Sequence, residues 1–342
     1  MTDTATGLTE IDFDPARLQA WLVETMGIGA NGVTIERVGG GQSNPTYFVT
    51  AGARRMVLRK RPGGTLAPGA HDVGREFRIL RALYGTDVPL PEPIAYRDDD
   101  AVVGTAFYMM GRLDGEVFHD ATLPNIPLDQ RRGYYRELAK VLAAIHAVDW
   151  QSTELVSMAR PGSFLARQVS RWGRGWTLAQ DKVAAVVAWL EDALPADDTL
   201  SIVHGDYKLT NVIYRAEEPK IAGVFDWELC TIGDPLSDLA HIWSFVWDTA
   251  PNEYGGLRGL DLTALGLPTF EEFVADYDAA ATHGRRLTRF HLVFAHLRTA
   301  GIFHGIRQRA AAGNAAAANA DEKGELDLVY LQRALDLVHA AE

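Results

Sequence analysis

The chain has 342 residues, 47% hydrophobic and 23% charged, which suits a globular protein with a large core and room for more than one lobe. A formal net charge of −12 argues against a nucleic-acid partner held by basic surface. No apolar run is long enough to span a bilayer, the start (MTDTATGLTEIDFD) lacks a secretory signal, and the single Cys230 excludes an intrachain disulfide, so a cytoplasmic protein with no membrane partner, monomer or homodimer, is expected.

In chain order, Asp14 and Pro15 read as N-cap and first turn of an opening helix over 14–29. Residues 33–38, 46–50 and 55–59 read as strands joined by Gly-rich turns. A helix over 71–84, a Pro-rich bend at 89–93 and strands near 94–97 and 107–110 follow. From about 113 the pattern turns helical: Leu138, Val141, Leu142 and Ile145 give 128–148 a buried face. Further helices are expected over 181–194, 270–281, 285–309 and 325–341, with an alanine-rich tract at 310–320 before the last. The order predicts an α+β chain: a small β-rich lobe over 1–112 that opens with a helix, and a larger, mainly helical lobe over 113–342.

The chemistry concentrates in 203–228, VHGDYKLTNVIYRAEEPKIAGVFDWE. The apolar runs 212–214 and 221–225 flank a polar turn and predict a β-hairpin that folds Asn211 and Asp226 together. Their hard oxygen donors, near the carboxylate of Asp206, suit Mg²⁺, which keeps waters and takes other ligands from substrate phosphates. His204-Gly-Asp206 with Asn211 five residues later has the spacing of a kinase catalytic loop. In that pattern the Asp accepts the proton of the attacking hydroxyl, the Asn holds one metal, and the later Asp holds metal on the nucleotide phosphates. His204 reads as a scaffold for the metal loop more than as a proton carrier. Glu228 reads either as a second metal residue acting through water or as a turn cap, and Asp238 as a brace on the loop.

These motifs, with Asp226-Trp227-Glu228 and the downstream Gly233-Asp234-Pro235-Leu-Ser-Asp238-Leu-Ala, resemble the aminoglycoside phosphotransferase-like family of small-molecule kinases. The longer string is similar to the branch that includes kinase domains linked to acyl-CoA dehydrogenases. The resemblance implies a protein-kinase-like bilobal fold and ATP- and Mg-dependent phosphoryl transfer to a small-molecule hydroxyl. Asp206 would be the orienting or deprotonating residue, with Lys208 placed where many protein kinases carry a Lys that meets the transferring phosphoryl group.

A nucleotide would also need a phosphate loop, a strand cation and a helix Glu. The loop around Gly40, Gly41 and Ser43 lies between two predicted strands and offers backbone N–H groups to phosphate, or is a plain hairpin turn. The strand cation is Arg59 by alternation with Val57, Lys60 being the fallback if a bulge intervenes. Glu76 is the helix partner, or a solvated helical Glu. Met110, Gly111 and Leu113 lie where adenine would meet backbone, although the Met side chains also read as core.

Trp172, Trp176, Trp243, Trp247 and Phe303 supply aromatic faces in the second half, and Arg285, Arg286, Arg289, Arg298, Arg307 and Arg309 supply cations. Arginines with aromatics favour an acceptor that carries carboxylate or phosphate, such as a hydroxyacyl-CoA or hydroxy acid, over an aminoglycoside or other amino alcohol. His291, His296 and His304 read as satisfied helix or pocket residues, not a metal cluster. A non-catalytic nucleotide-binding regulatory module would lack the Asp, Asn or second Asp, and all are present here. A metal-dependent hydrolase would not need the loop, cation and helix Glu that occur in kinase order.

Overall fold

The computed structural model describes residues 11–27, 32–39, 44–64, 71–197, 199–312 and 323–340. The chain divides into two compact units, Met1–Asp114 and Gly115–Glu342. Asp114 is tied into the first unit by a bidentate pair with Arg55, both bonds 2.7 Å.

The first unit is a five-stranded antiparallel sheet of β1 (Val33–Arg37), β2 (Thr46–Ala51), β3 (Arg54–Lys60), β4 (Pro93–Arg97) and β5 (Phe107–Gly111), in the order β1-β2-β3-β5-β4. Helix α1 (Pro15–Met26) precedes it. Asp14 accepts from the Ala16 amide at 2.9 Å, and Gly27 closes the helix with φ 62°, so it ends short of the predicted 29. Leu18, Trp21 and Leu22 of α1 pack on Tyr47, Val49, Met56, Leu58, Phe107 and Met109. Wholly buried leucines such as Leu18 and Leu22 are worth about 1.5–3 kcal/mol each. Strand alternation therefore sends Val57, Arg59, Tyr108 and Met110 to the opposite face, where Val57 pairs with Met110 and Arg59 with Tyr108. Helix α2 (Val73–Leu83) supplies Glu76 to that face, its start capped by Asp72 on the Arg75 amide at 2.9 Å.

The second unit is mainly helical. Helices α3 (Arg131–Ala147), α4 (Phe164–Trp172), α5 (Gln180–Asp192), α6 (Leu236–Ile242), the four-residue α7 (Pro251–Tyr254), α8 (Phe270–Ala280), α9 (Arg289–Ala311) and α10 (Leu326–His339) surround two short strand pairs. One pair joins β6 (Ser201–Val203) to β9 (Thr231–Gly233); the other joins β7 (Val212–Tyr214) to β8 (Ile221–Val224). Helices α4, α5, α9 and α10 share a core that includes Val169, Val186, Leu297 and Tyr330. The long helix begins at Arg289, not 285, because Thr288 takes an extended N-cap conformation; Arg285 ahead of it is ion-paired to Asp234 and Asp197. The aromatic-rich segment Trp243–Trp247 is a single π-turn continuing α6.

Candidate active site

The two strand pairs build the candidate catalytic loop. His204, Gly205 and Asp206 leave the end of β6, and Asn211 precedes β7, whose hairpin with β8 carries Asp226. The Phe225 amide donates to the Asn211 carbonyl at 3.1 Å, so the hairpin sets Asn211 beside the start of the Asp226 turn. Gly205 has φ 86°, and a Cβ there would lie 2.7 Å from the Leu229 carbonyl oxygen, so only glycine lets the loop cross this turn.

The loop hangs from Asp238 of α6. Its Oδ2 accepts from the His204 amide at 2.6 Å and its Oδ1 from the Gly205 amide at 2.8 Å. Asp238 is wholly buried, and burial alone would raise its pKa, but hydrogen bonding and charge from His146, with the loop amides, hold it below the ordinary carboxylate value. Behind it, His146 Nε2 lies 3.3 Å from Asp238 Oδ2, and Tyr277 joins His146 to His283 at 2.7 Å on each side.

His204 spends both ring nitrogens on backbone: Nε2 donates to the Phe225 carbonyl at 3.0 Å, and Nδ1 accepts from the Asp206 amide at 3.2 Å. With 0% exposure its pKa is lowered by burial, and the neutral ring links the loop to the hairpin. Tyr207, buried one residue after Asp206, anchors the loop to α3 through the Leu138 carbonyl at 3.0 Å.

Asp206 Oδ1 meets Lys208 Nζ at 2.9 Å and His241 Nε2 at 3.2 Å, while Oδ2 accepts from Asn211 Nδ2 at 2.9 Å. Burial pushes its pKa up, but the His241 hydrogen bond and the Lys208 ammonium outweigh it and hold the carboxyl well below its ordinary range. Asn211 Nδ2 also donates to the Asp206 carbonyl at 2.7 Å. Both partners are acceptors, so the amide must turn its nitrogen to them and its Oδ1 away. Asp226 takes φ 66°, a left-handed conformation that is uncommon outside glycine and clusters at functional sites. Glu228 sits half-buried in the helical turn that follows it.

In the first unit, Arg59 Nε lies 3.3 Å from Glu76 Oε2. Lys60 instead pairs with Asp12 at 3.0 Å on the α1 face, as strand alternation requires. Glu76 is 2% exposed and also accepts from Asn44 Nδ2 at 2.8 Å and the Tyr108 hydroxyl at 3.2 Å. The Gly111 amide donates to the Glu92 carbonyl at 2.8 Å and the Arg112 amide to the Arg55 carbonyl at 2.9 Å. The amides of Gly111 and Arg112 are therefore already engaged within the first unit. Gly40, Gly41 and Ser43 lie outside the described residues.

Several of the late aromatic and histidine side chains are taken up in packing and ion pairs. Trp176, Trp247 and Phe303 are buried: Trp176 stacks on His304 at 4.4 Å, Trp247 packs on Phe273, and Phe303 stacks on Tyr330. His296 and His304 each face their own carboxylate, Asp248 at 3.0 Å and Asp327 at 2.9 Å. His241 escaped the sequence reading, and Arg298 stood in it only as one of six late arginines. His241 had a signal, since it lies three residues after Asp238 on the same helical face. Arg298, whose Nη2 donates to the Gly205 carbonyl from 93 residues along the chain, had none.

The phosphotransferase enzyme family model (APH) matches residues 34–290. The chain belongs to that family. Mouse acyl-CoA dehydrogenase family member 10 is 36% identical over 294 residues, 84% of this chain and 27% of that protein. Human acyl-CoA dehydrogenase family member 11 is 35% identical over 326 residues, 92% of this chain and 41% of that protein. The chain thus spans less than half of these relatives. A crystal structure from Ralstonia eutropha, whose own assignment as an aminoglycoside phosphotransferase is provisional, has TM-score 0.85 at 33% identity, over 96% of this chain and 99% of that one. Aminoglycoside phosphotransferase APH(4)-Ia, solved with ADP and hygromycin B, has TM-score 0.62 at 15% identity over 95% of this chain and 99% of that one, a likeness of fold. The phosphotransferase family carries the kinase-like fold, here with an antiparallel sheet in the N-terminal unit and helices in the C-terminal one. This chain is a small-molecule phosphotransferase, an enzyme that moves a phosphoryl group to a hydroxyl of a small molecule. Among the described residues no helix is long and apolar enough to cross a membrane.

Proposed function

We propose that this phosphotransferase moves the γ-phosphate of ATP, with Mg²⁺, to a hydroxyl of a hydroxyacyl-CoA or a related hydroxy acid, in the cytoplasm. The observation that carries the chemistry is the contact between Asp206 and Asn211. It turns the Asn211 oxygen away from Asp206, and that oxygen with the Asp226 carboxylate makes an all-oxygen donor set of the kind that suits Mg²⁺ completed by water and phosphate. When bound, Mg²⁺ supplies charge neutralisation at the nucleotide phosphates.

In this reading the Asp206 carboxylate orients the acceptor hydroxyl and receives its proton as the oxygen bonds to the γ-phosphorus. The bond from phosphorus to the β,γ-bridging oxygen breaks, and ADP leaves. A carboxylate so strongly ionised is a weak base, which suits a loose transition state in which positioning and charge matter more than early proton removal. Lys208, now on Asp206, is the cation positioned to follow the phosphoryl oxygens. His204 acts through the backbone. In the other unit, Glu76 holds Arg59 for the nucleotide phosphates, with the loop of Gly40, Gly41 and Ser43 as their second support. Met110, Gly111 and Leu113 meet adenine, and Glu228 serves the metal through water.

The acceptor class rests on the relatives, which are acyl-CoA dehydrogenase family members, and on arginines in the helical unit. An amino-alcohol acceptor is the second reading, favoured by 29% identity over 222 residues to viomycin phosphotransferase of Streptomyces vinaceus, 57% of this chain and 69% of that one. The test is ADP release from Mg-ATP with 3- and 4-hydroxyacyl-CoAs, free hydroxy acids, aminoglycosides, choline and homoserine, with Asp206→Ala as the blank. Release with a hydroxyacyl-CoA or hydroxy acid, lost in the variant, is the expected result. Release with only aminoglycosides, choline or homoserine would overturn the acceptor assignment, and unchanged turnover in Asp206→Ala would overturn the mechanism.

A further inference from the structure

Arg160, Arg167, Arg171 and Arg174 lie in a stretch, 155–180, that holds no Asp or Glu, within a chain whose net charge is −12. Arg167 and Arg171 are one turn apart on α4, where like charges repel. Arg167 is satisfied by the carbonyls of Pro161 and Gly162, and Arg174 by Ser170. Arg171 is exposed, lies 5.2 Å from the ring of its neighbour Trp172, and has no ion pair among the described residues.

The end of α4 packs directly on α9, since a Cβ at Gly301 would meet the Trp172 ring at 2.7 Å. Arg298 lies one turn earlier on that face of α9 and donates to the carbonyl of Gly205, the residue before Asp206. Arg285, Arg286 and Arg307 pair with Asp234, Asp278 and Asp327, whereas part-buried Arg298 has no carboxylate in ion-pair reach among the described residues. One hydrogen bond uses a minority of the five donors of a guanidinium. Burial lowers the Arg298 pKa and nearby Arg171 adds to it, with Asp238 and Asp206 opposing. Arg298 is thus held near Asp206, with Arg171 of a second helix close enough to repel it and no carboxylate in ion-pair contact with either guanidinium among the described residues. An anion would relieve that repulsion, and bidentate guanidinium groups suit carboxylate and phosphate alike.

We propose that Arg298 and Arg171 form an anion seat for the acceptor, binding a carboxylate or phosphate of the molecule whose hydroxyl is presented to Asp206. The seat rests on the reading of Asp206 as the acceptor-orienting residue. It makes negative charge on the acceptor a requirement of recognition and disfavours ammonium-rich molecules.

The test is calorimetric binding to the whole chain with its nucleotide site saturated by Mg-AMP-PNP, so that it does not depend on turnover. Coenzyme A is compared with pantetheine, which lacks the phosphates, and 4-hydroxybutyrate with 4-hydroxybutyramide, which lacks the carboxylate. The expected result is that one anionic member binds about tenfold or more tighter than its neutral counterpart. That preference falls to near unity in Arg171→Gln and is partly kept in Arg298→Lys, which retains charge where Arg298→Gln would risk the loop. The pair that shows the preference identifies phosphate or carboxylate as the anion. Equal affinity within both pairs, no measurable binding of either anion, or a preference that survives Arg171→Gln would overturn the seat. Absence of ADP release with every acceptor would instead overturn the acceptor reading, while the measured affinities would still decide whether the anion binds.

Discussion

The catalytic loop and the Arg59–Glu76 pair are held in opposite ways. The loop is suspended by its backbone: Asp238 takes the amides of His204 and Gly205, His204 takes the Phe225 carbonyl, and Tyr207 takes the Leu138 carbonyl. The pair is held by side chains, with Asn44, Tyr108 and Arg59 converging on the Glu76 carboxylate across a regular sheet. In the proposed mechanism, a backbone suspension ties the reacting group to residues that act only by holding it. A side-chain cluster places its function in its own members, on a sheet that persists without them.

The largest effect expected is at the end of the suspension. Asp206→Ala should cost about 10²–10⁴-fold in kcat, the range for loss of a general acid–base group, with little change in nucleotide affinity. An ADP-release assay beside a nucleotide titration separates the two. Next is Asp238→Ala, which leaves the amides of His204 and Gly205 buried and unpaired. Hydrogen bonds to a charged group contribute about 1.5–3 kcal/mol each, so a loss of several kcal/mol of stability is expected in urea unfolding, together with loss of turnover. A stable Asp238→Ala protein with normal turnover would break the contrast.

A smaller effect comes from His241, which touches Asp206 from the same helix as Asp238. Burial, then the charge of Arg298, push its pKa down to about 4 from an ordinary 6.5. The unfolded chain therefore binds the proton first as pH falls, so stability is fully present above pH 6.5 and is lost toward pH 4. At pH 5 the loss from this residue is about 2 kcal/mol, at about 1.4 kcal/mol per pH unit. Buried His204 and His296 act in the same direction. The lowered carboxyl of Asp206 acts only below its ordinary 3.8, outside this window. Urea midpoints at pH 7.5 and pH 5 should differ less in His241→Gln, which keeps an N–H donor for Asp206, than in the parent chain.

The two regions were also unequally legible in the sequence. The loop could be read because the hairpin is local: apolar runs at 212–214 and 221–225 fix which residues meet, and the structure pairs Val212 with Val224. Arg59 could be chosen over Lys60 because a strand alternates, and Met56 and Leu58 had to face the core. Which aromatic side chains pack inside stayed open, since a Trp on a helix looks the same in a core as in a pocket, and the structure buries Trp247 and Phe303. Arg298 was one of six late arginines until the fold showed the other pairings. Helix α4 was missed because its nine residues are few for a periodic pattern to stand out.

The Glu76 cluster allows the finest test of the contrast. Glu76→Gln removes the charge that opposes Arg59 while keeping the volume and an oxygen for Asn44 or Tyr108. A buried carboxylate with a cation and two neutral donors is replaced by an amide that can satisfy the donors but repels the guanidinium with its own N–H groups. The sheet has no other need of Glu76, because its hydrophobic contacts with α1 lie on the opposite face. Stability should therefore change far less than in Asp238→Ala, and the loss should appear where Arg59 works. The expected result is a rise of about tenfold in KM for ATP, about 1.4 kcal/mol, with kcat reduced by less than that factor. A fall in kcat as deep as that of Asp206→Ala, with KM unchanged, would mean that the pair acts on the reacting groups and not on the nucleotide. The division between a suspended loop and a self-contained pair would then fail at the pair.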